Sequence, residues 1–409
     1  MDNSRQTEAV PDNQPEEDRR DLHRLGVKNV PNGWVLSTVG NACVIRNDLR
    51  EPLSVEVRSQ MTGEYPYYGP TGVLSHIDEF RIDGEFALIG EDGDHFMEPT
   101  AKAQTIRICG KFNVNNHAHV VGDGDYCTVD WFFHFFRHRD ISHSLTRQGA
   151  GRFKLTKRAL EKLPILLPPL PEQRKIAAIL RTWDEAIEKL STLRKAKRKW
   201  LDGVTAKLIH RPDIPTEHLR DHLCEVSVRN RGQAVERVLS VTNSAGFVLA
   251  EEQFAHRVAS ADLSNYKVVR HGQYAYNPSR INVGSIARLD AWSEGALSPM
   301  YVVFSVRSTL DSDYFSHWLN SAEARQRIAM SAQGSVRETV SFGDLSSISI
   351  PVPSIQEQRR IARMLSTASI ELTLIDREIA ALTCQKRGLM QKLLTGEWAV
   401  RPDLETADD

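Results

Sequence analysis

One tract of this chain occurs twice. Leu170-Pro-Glu-Gln-Arg-Lys-Ile-Ala-Ala-Ile-Leu180 returns 185 residues later as Ile355-Gln-Glu-Gln-Arg-Arg-Ile-Ala-Arg-Met-Leu365, with six of eleven positions identical. The same offset sets Pro168 against Pro353 and Ala206-Lys-Leu-Ile209 against Gln391-Lys-Leu-Leu394. A match that long marks a tandem duplication, and a chain of 409 residues built this way folds as two related halves, each with enough sequence for a core of its own.

Each copy opens after prolines (Pro168, Pro169 and Pro171; Pro351 and Pro353) and then runs without proline to Arg211 and Arg401. Such spacing predicts long helices over 169–211 and 354–398. In the second, Ile361, Leu365, Ala368, Leu372, Ile375, Ile379, Leu382, Leu389 and Leu393 keep four-three spacing, broken only at Lys386. The first keeps the same register through Ile176, Leu180, Trp183, Ile187, Leu190, Leu201, Val204 and Leu208, with faults at Arg194 and Lys197. At 1.5 Å per residue each helix is expected to reach roughly 50–60 Å. A single seam of this kind suits a helix lying on its own domain equally well, but two matching seams can bury each other in an antiparallel coiled coil. That arrangement predicts a dumbbell with one globular domain at each end, related by a pseudo-two-fold axis.

The remaining segments, 26–168 and 212–353, mix short apolar runs (Phe86–Ile89, Val120–Val121, Tyr301–Phe304), Gly-rich turns and one helical tract each, Val129–Arg137 and Tyr314–Asn320. Both read as α+β (mixed α/β) domains, and they resemble each other only faintly. The segments 1–25 and 399–409 read as acidic, disordered tails. The formal net charge of −1 hides an uneven distribution: residues 1–18 contribute −5 and residues 401–409 contribute −3, which leaves +7 on the body. A mildly basic body is compatible with DNA without requiring it. Five scattered cysteines form no C-x-x-C pair and no apolar stretch is long enough for a membrane span, so the expectation is a soluble protein of the cytoplasm.

In its organisation, from Val30 to Trp398, the chain resembles the specificity subunits of type I restriction-modification systems. The resemblance rests on the two Glu-Gln-Arg helix openings, on Tyr67-Tyr-Gly-Pro-Thr-Gly72 with Leu88-Ile-Gly-Glu-Asp-Gly93, and on Tyr276-Asn-Pro-Ser-Arg-Ile-Asn-Val-Gly284. It implies two target-recognition domains, each reading one half of an asymmetric bipartite site in double-stranded DNA, with the two helices as a spacer. It further implies two modification (methyltransferase) subunits carrying S-adenosylmethionine, and restriction subunits with ATP and magnesium that join through the complex. No cofactor is expected on this chain.

Candidate DNA contacts follow from side-chain chemistry. Asn277, Arg280 and Asn282 sit on a Pro- and Gly-bearing loop, where amides can pair adenine edges and guanidinium can pair guanine or phosphate; the alternative is an Asx-type turn. Tyr67, Tyr68, Glu91 and Asp92 hold the corresponding place in the first domain. Either carboxylate can accept from a cytosine amino group, or simply close a hydrogen-bonded turn. Lys267, Arg270 and Arg288, with Arg107 and Lys111, are candidates for phosphates, against plain solvation. Glu172, Gln173, Arg174 and Glu357, Gln358, Arg359 are candidates for the partner-facing helix motif. His134 and His138 have metal-ligand spacing on a helix but no third ligand, which favours core packing.

Catalysis is not expected. Asn277-Pro-Ser-Arg280 lacks the Pro-Pro-aromatic ending of an adenine-flipping motif, and no Gly-rich cofactor loop follows a strand. None of the fifteen lysines has an acid two residues before it, as usual nuclease sites do, and no P-loop is present. A protein scaffold that never touches DNA remains the rival reading.

Overall fold

The computed structural model describes residues 15–148, 152–253, 262–332 and 339–400. The chain divides into two units: unit 1 holds residues 1–189 and 379–409, and unit 2 holds residues 190–378. Each unit thus takes part of each long helix.

Unit 1 opens with helix α1 (Glu16–Leu25), whose first turn is acidic, as its dipole favours, and which ends on Gly26 in the left-handed region at φ 73°. Its Leu22 and Leu25 join the main core of the unit. Residues 16–25 are therefore ordered helix and not the disordered tail expected; 1–14 and 401–409 lie outside the described residues. A six-stranded sheet follows, made of β1 (Val44–Ile45), β2 (Tyr65–Tyr68), β3 (Val73–Ile77), β4 (Ile82–Gly90), β5 (Thr105–Val114) and β6 (Ala118–Gly122), in the order β1-β6-β4-β5-β2-β3. All neighbours are antiparallel except β2 and β5. Helix α2 (Val129–Phe136) packs on it; Thr128 caps its start by accepting from Trp131 N at 3.2 Å, and Trp131, Phe132, Phe135 and Phe136 are buried. An antiparallel pair, Val35–Thr38 with Pro164–Leu167, closes the domain beside the first long helix, α3 (Leu170–Ile209).

Unit 2 repeats the plan with a smaller sheet: β7 (Leu223–Val226), β8 (Tyr274–Tyr276), β9 (Ile286–Arg288) and β10 (Val302–Val306), in the order β7-β10-β8-β9. Helix α4 (Ser312–Leu319) starts under an Asp311 cap, and the pair Thr216–His218 with Ser349–Pro351 leads into the second long helix, α5 (Ile355–Leu394).

α3 and α5 are each 40 residues, about 60 Å, at the upper end of the expected length. The observed ends lie within four residues of the expected 169–211 and 354–398. In unit 2, Arg194 bonds Asp376 at 3.0 Å and Lys197 bonds Glu371 at 2.5 Å. Residue numbers rise along one helix as they fall along the other, so the pairing is antiparallel. The two basic faults in the seam are thus answered by acids on the facing helix. In unit 1 the fault at Lys386 is buried, and its ammonium meets Asp184 at 2.5 Å, which Arg137 also holds at 2.8 Å.

Each Glu-Gln-Arg opening holds one buried glutamine with matching bonds. Gln173 Oε1 accepts from Thr128 N (3.0 Å), while its Nε2 donates to Tyr126 O and Pro168 O (2.7 and 2.8 Å). In unit 2, Gln358 Oε1 accepts from Asp311 N (2.7 Å) and its Nε2 donates to Thr309 O and Pro353 O (3.4 and 2.9 Å). In each unit the amide ties the start of the long helix to the cap of the domain helix, satisfying groups that burial would otherwise strand.

Unit 1 also buries His95, His119 and His134. His134 is pushed down to about 3 by burial, with Lys386 adding to the effect, and burial lowers His95, His119, His138 and His143 as well. A group whose folded pKa is depressed contributes stability above its unfolded pKa and loses it as pH falls. Stability read by thermal melts is therefore expected to be flat above the unfolded histidine pKa of about 6.5 and to fall below it, by about 1.4 kcal/mol per pH unit down to pH 5 for a ring as buried as His134. His134→Phe is expected to flatten that slope; an unchanged slope would count against the assignment. Among the described residues, no helix is long and apolar enough to cross a membrane.

Candidate nucleic-acid interface

In the first domain the motif loops fold inward. Tyr67 is fully buried in β2, with its hydroxyl donating to Glu51 O (2.7 Å) and accepting from Leu53 N (2.9 Å). It belongs to the core and cannot present its ring to a base, which corrects the expectation from sequence. Tyr68, half-buried, meets Phe112 edge-on at 6.0 Å. Glu91 pairs with Arg50 at 2.6 Å and Lys154 at 3.1 Å; burial alone raises its carboxyl, but these cations outweigh burial and hold it below the usual range. Asp92 meets the His117 ring at 2.8 Å. The turn is sewn to the residues before α3 by Gly93 N to Phe153 O and Leu155 N to Glu91 O. Glu91 is thus answered by cations of the same domain and Asp92 by the His117 ring, and the hydrogen-bonded turn is what the loop forms.

In the second domain, β8 leads into a loop where Asn277 Oδ1 accepts from Ser279 N at 3.0 Å, the Asx turn weighed from sequence. The loop ends on Gly284, whose φ of 93° suits glycine. This turn pushes Arg280 and Asn282 outward. Both are exposed, and neither side chain has an ion pair or hydrogen bond among the described residues. Arg270 is exposed as well, with Glu294 3.8 Å away. Lys267 is buried, its ammonium donating to Tyr301 O at 2.7 Å, and burial lowers its pKa; it cannot reach a phosphate, a second correction. Arg288 is held by Asp290 (2.7 Å) and Asp313 (2.6 Å), whose charges outweigh burial and raise it. It is committed within the domain. Arg107 is likewise held, by Asp130 and by Glu85, while Lys111 lies over the Phe80 ring.

The profile of the type I restriction modification DNA specificity domain family matches residues 31–198 and 283–383. The chain belongs to this family. It is 34% identical over 136 residues, 33% of this chain, to a putative type I restriction enzyme specificity subunit of Haemophilus influenzae, and that match spans 34% of the relative. It is 21% identical to the type I restriction enzyme MjaVIII specificity subunit of Methanocaldococcus jannaschii, over 94% of this chain and 97% of the relative. The S subunit of a type I restriction-modification system from M. genitalium has the same fold, with a TM-score of 0.63 at 16% identity over 90% of this chain and 96% of that one.

Among the helix-motif residues of this specificity-domain protein, Gln173 and Gln358 are buried and work inside their own units. Glu172 accepts from Trp34 Nε1 at 3.3 Å, and Glu357 is held by Arg360 at 2.7 Å. Arg174 is exposed, and so is Arg359, which lies 3.8 Å from Asp311. Of the six, these two arginines are the pair that a partner can touch at equivalent places. Sequence reasoning passed over a basic group in the second domain. Arg229, Arg231 and Arg237 are exposed near the ribbon formed by Lys267–Arg270 and Glu294–Leu297, which Arg229 joins through a bridge to Lys267. The Arg-x-Arg spacing at 229 and 231 was the available signal. His134 and His138 are packed in the domain, the latter bonded to Pro99 O at 3.0 Å.

Proposed function

We propose that this chain is the DNA-reading specificity subunit of a type I restriction-modification complex and carries no catalytic step itself. The observation that carries the reading is the contrast between its two halves. The helix openings use the same glutamine bonds in both units, while the loops that face outward differ in sequence and charge. Alike helices suit two copies of one partner, a modification subunit, and unlike domains suit two different half-sites in one duplex. Restriction subunits join through that complex. S-adenosylmethionine belongs to the modification subunit, ATP and magnesium to the restriction subunit, and the assembly to the cytoplasm.

Within the second domain, Arg280 and Asn282 are the proposed base-edge or phosphate contacts, with Arg229, Arg231, Arg237 and Arg270 as the surrounding positive field. In the first domain, Tyr68 and the Glu91–Asp92 turn are the nearest counterparts. The test is methylome sequencing of cells that express the chain with its neighbouring methyltransferase. A bipartite methylated motif that disappears with this chain is the expected result; methylation indifferent to its loss overturns the reading and leaves the scaffold. In the same assay Arg280→Ala is expected to weaken methylation at, or relax, the half-site of the second domain by about 1–3 kcal/mol in binding. The half-site read by the first domain stays unchanged.

A further inference from the structure

Unit 1 contains a cleft of about 400 Å³ between the end of α1, the turn that follows α2, and the last turns of α5. Its walls carry Arg24, Arg139 and Arg387 together with His134 and His138. Arg24 is paired with Asp21 at 3.0 Å, but the other two arginines have no carboxylate partner among the described residues. The Arg139 guanidinium lies 4.0 Å over the Phe135 ring and donates only to carbonyls, Phe135 O at 3.2 Å and Leu25 O at 3.1 Å. Arg387 donates to Thr100 O at 2.8 Å. His134 is 3% exposed, and its Nδ1 has no partner among the described residues. Asp140 also lines the cleft, but its carboxylate is turned to Ser142 N at 2.9 Å. Arg387 is exposed at the rim and Arg139 is half-buried; holding the Arg139 guanidinium partly out of water without a counter-charge is unfavourable, and an anion supplied from solution relieves it.

The duplication supplies an internal comparison. The offset that relates the caps Thr128 and Asp311 relates His134 to His317, and the helix offset relates Arg387 to Asp202 and Thr395 to His210. His317, Asp202 and His210 line a cleft of about 1070 Å³ in unit 2. There Glu323 stands among them, ion-paired with Arg327 and lying against the His210 ring. Duplication thus made the cleft twice; Arg198 and Arg325 line the second copy without an ion pair among the described residues, but there the Asp202 and Glu323 carboxylates share the walls with them.

We propose that the cleft of unit 1 binds a small phosphate monoester of nucleoside-monophosphate size. Arginine forks match phosphate oxygens, and Arg139 and Arg387 take the phosphate. Leu25, Met390 and Leu394 on the same walls give the rest of the ligand apolar contact, and the volume lies in the range of small-molecule sites.

The test is isothermal titration of the full-length chain, co-purified with its modification subunits, using AMP, inorganic phosphate and adenosine. AMP is expected to bind at one site per chain, phosphate more weakly, and adenosine not at all. Arg387→Gln is expected to weaken AMP about tenfold or more, the effect of removing one charge-assisted contact. Asp202→Asn, in the second cleft, is expected to leave AMP binding unchanged. Arg139→Gln also removes two bonds to the backbone, so Arg387→Gln, which touches only Thr100 O, is the decisive variant. No heat with AMP, AMP binding that survives Arg387→Gln, or adenosine binding as tightly as AMP would each overturn the proposal.

Discussion

Asp184→Ala is expected to destabilise the protein by about 2–4 kcal/mol, whereas Lys386→Leu is expected to leave stability within about 1 kcal/mol of the parent or to raise it. The two partners of one ion pair behave so differently because only one of them has a replacement. Lys386 is 7% exposed in its side chain and sits where the seam of the other unit has Leu201. Its burial, and the Arg137 charge, push its pKa down against the pull of Asp184. Loss of Asp184 therefore strands a buried ammonium and leaves Arg137 without its carboxylate. Loss of the lysine leaves Asp184 with Arg137 at 2.8 Å and fills the seam with the apolar side chain its register asks for. Asp184 is 30% exposed, so its loss costs less than that of a partner in a fully buried pair. Chemical denaturation of both variants at neutral pH checks it, and equal losses would refute the asymmetry. Burial alone raises the Asp184 carboxyl, but Lys386 and Arg137 outweigh it and hold it below the ordinary range. Its contribution is therefore present above the unfolded carboxylate pKa and disappears as pH falls through the folded one.

Gln358→Ala is expected to cost about 2–4 kcal/mol, a fall of roughly 5–15 °C in the melting of a unit this size. The amide closes three hydrogen bonds in a fully buried position, and alanine leaves Asp311 N, at the cap of α4, and Pro353 O unpaired. Gln173→Ala is expected to behave alike in unit 1. Arg359→Ala, on the exposed neighbour, is expected to stay within about 0.5 kcal/mol. A glutamine variant as stable as the arginine variant would show that the motif is kept for a partner and not for the fold.

The long helices and their facing register were legible because a seam of apolar residues at fixed spacing has one meaning in a duplicated chain. What fills the faults of that seam was not. Lys386, Arg194 and Lys197 look alike as interruptions, and only the facing helix shows one as a buried pair and two as exposed ones. The loops were legible as loops, but not in which side chains face out. Tyr67 and Tyr68 are adjacent in a strand, so one must point inward, and nothing in the local pattern says which. Lys267 begins a short strand whose first three positions are all buried, a pattern without alternation. Helix α1 was hidden by composition: its acids and arginines face solvent, and its two buried leucines are too few to stand out.

The division of the chain has a consequence for its synthesis. Unit 2 is one contiguous stretch, while the core of unit 1 joins Leu22 and Trp131 to Met390, Leu393 and Leu394. A ribosome moving at about 5–20 residues per second exposes the first recognition domain well before it makes those last side chains. The domain that emerges first is therefore the one that finishes last, and a message truncated anywhere in α5 yields a product whose leading half has no completed core.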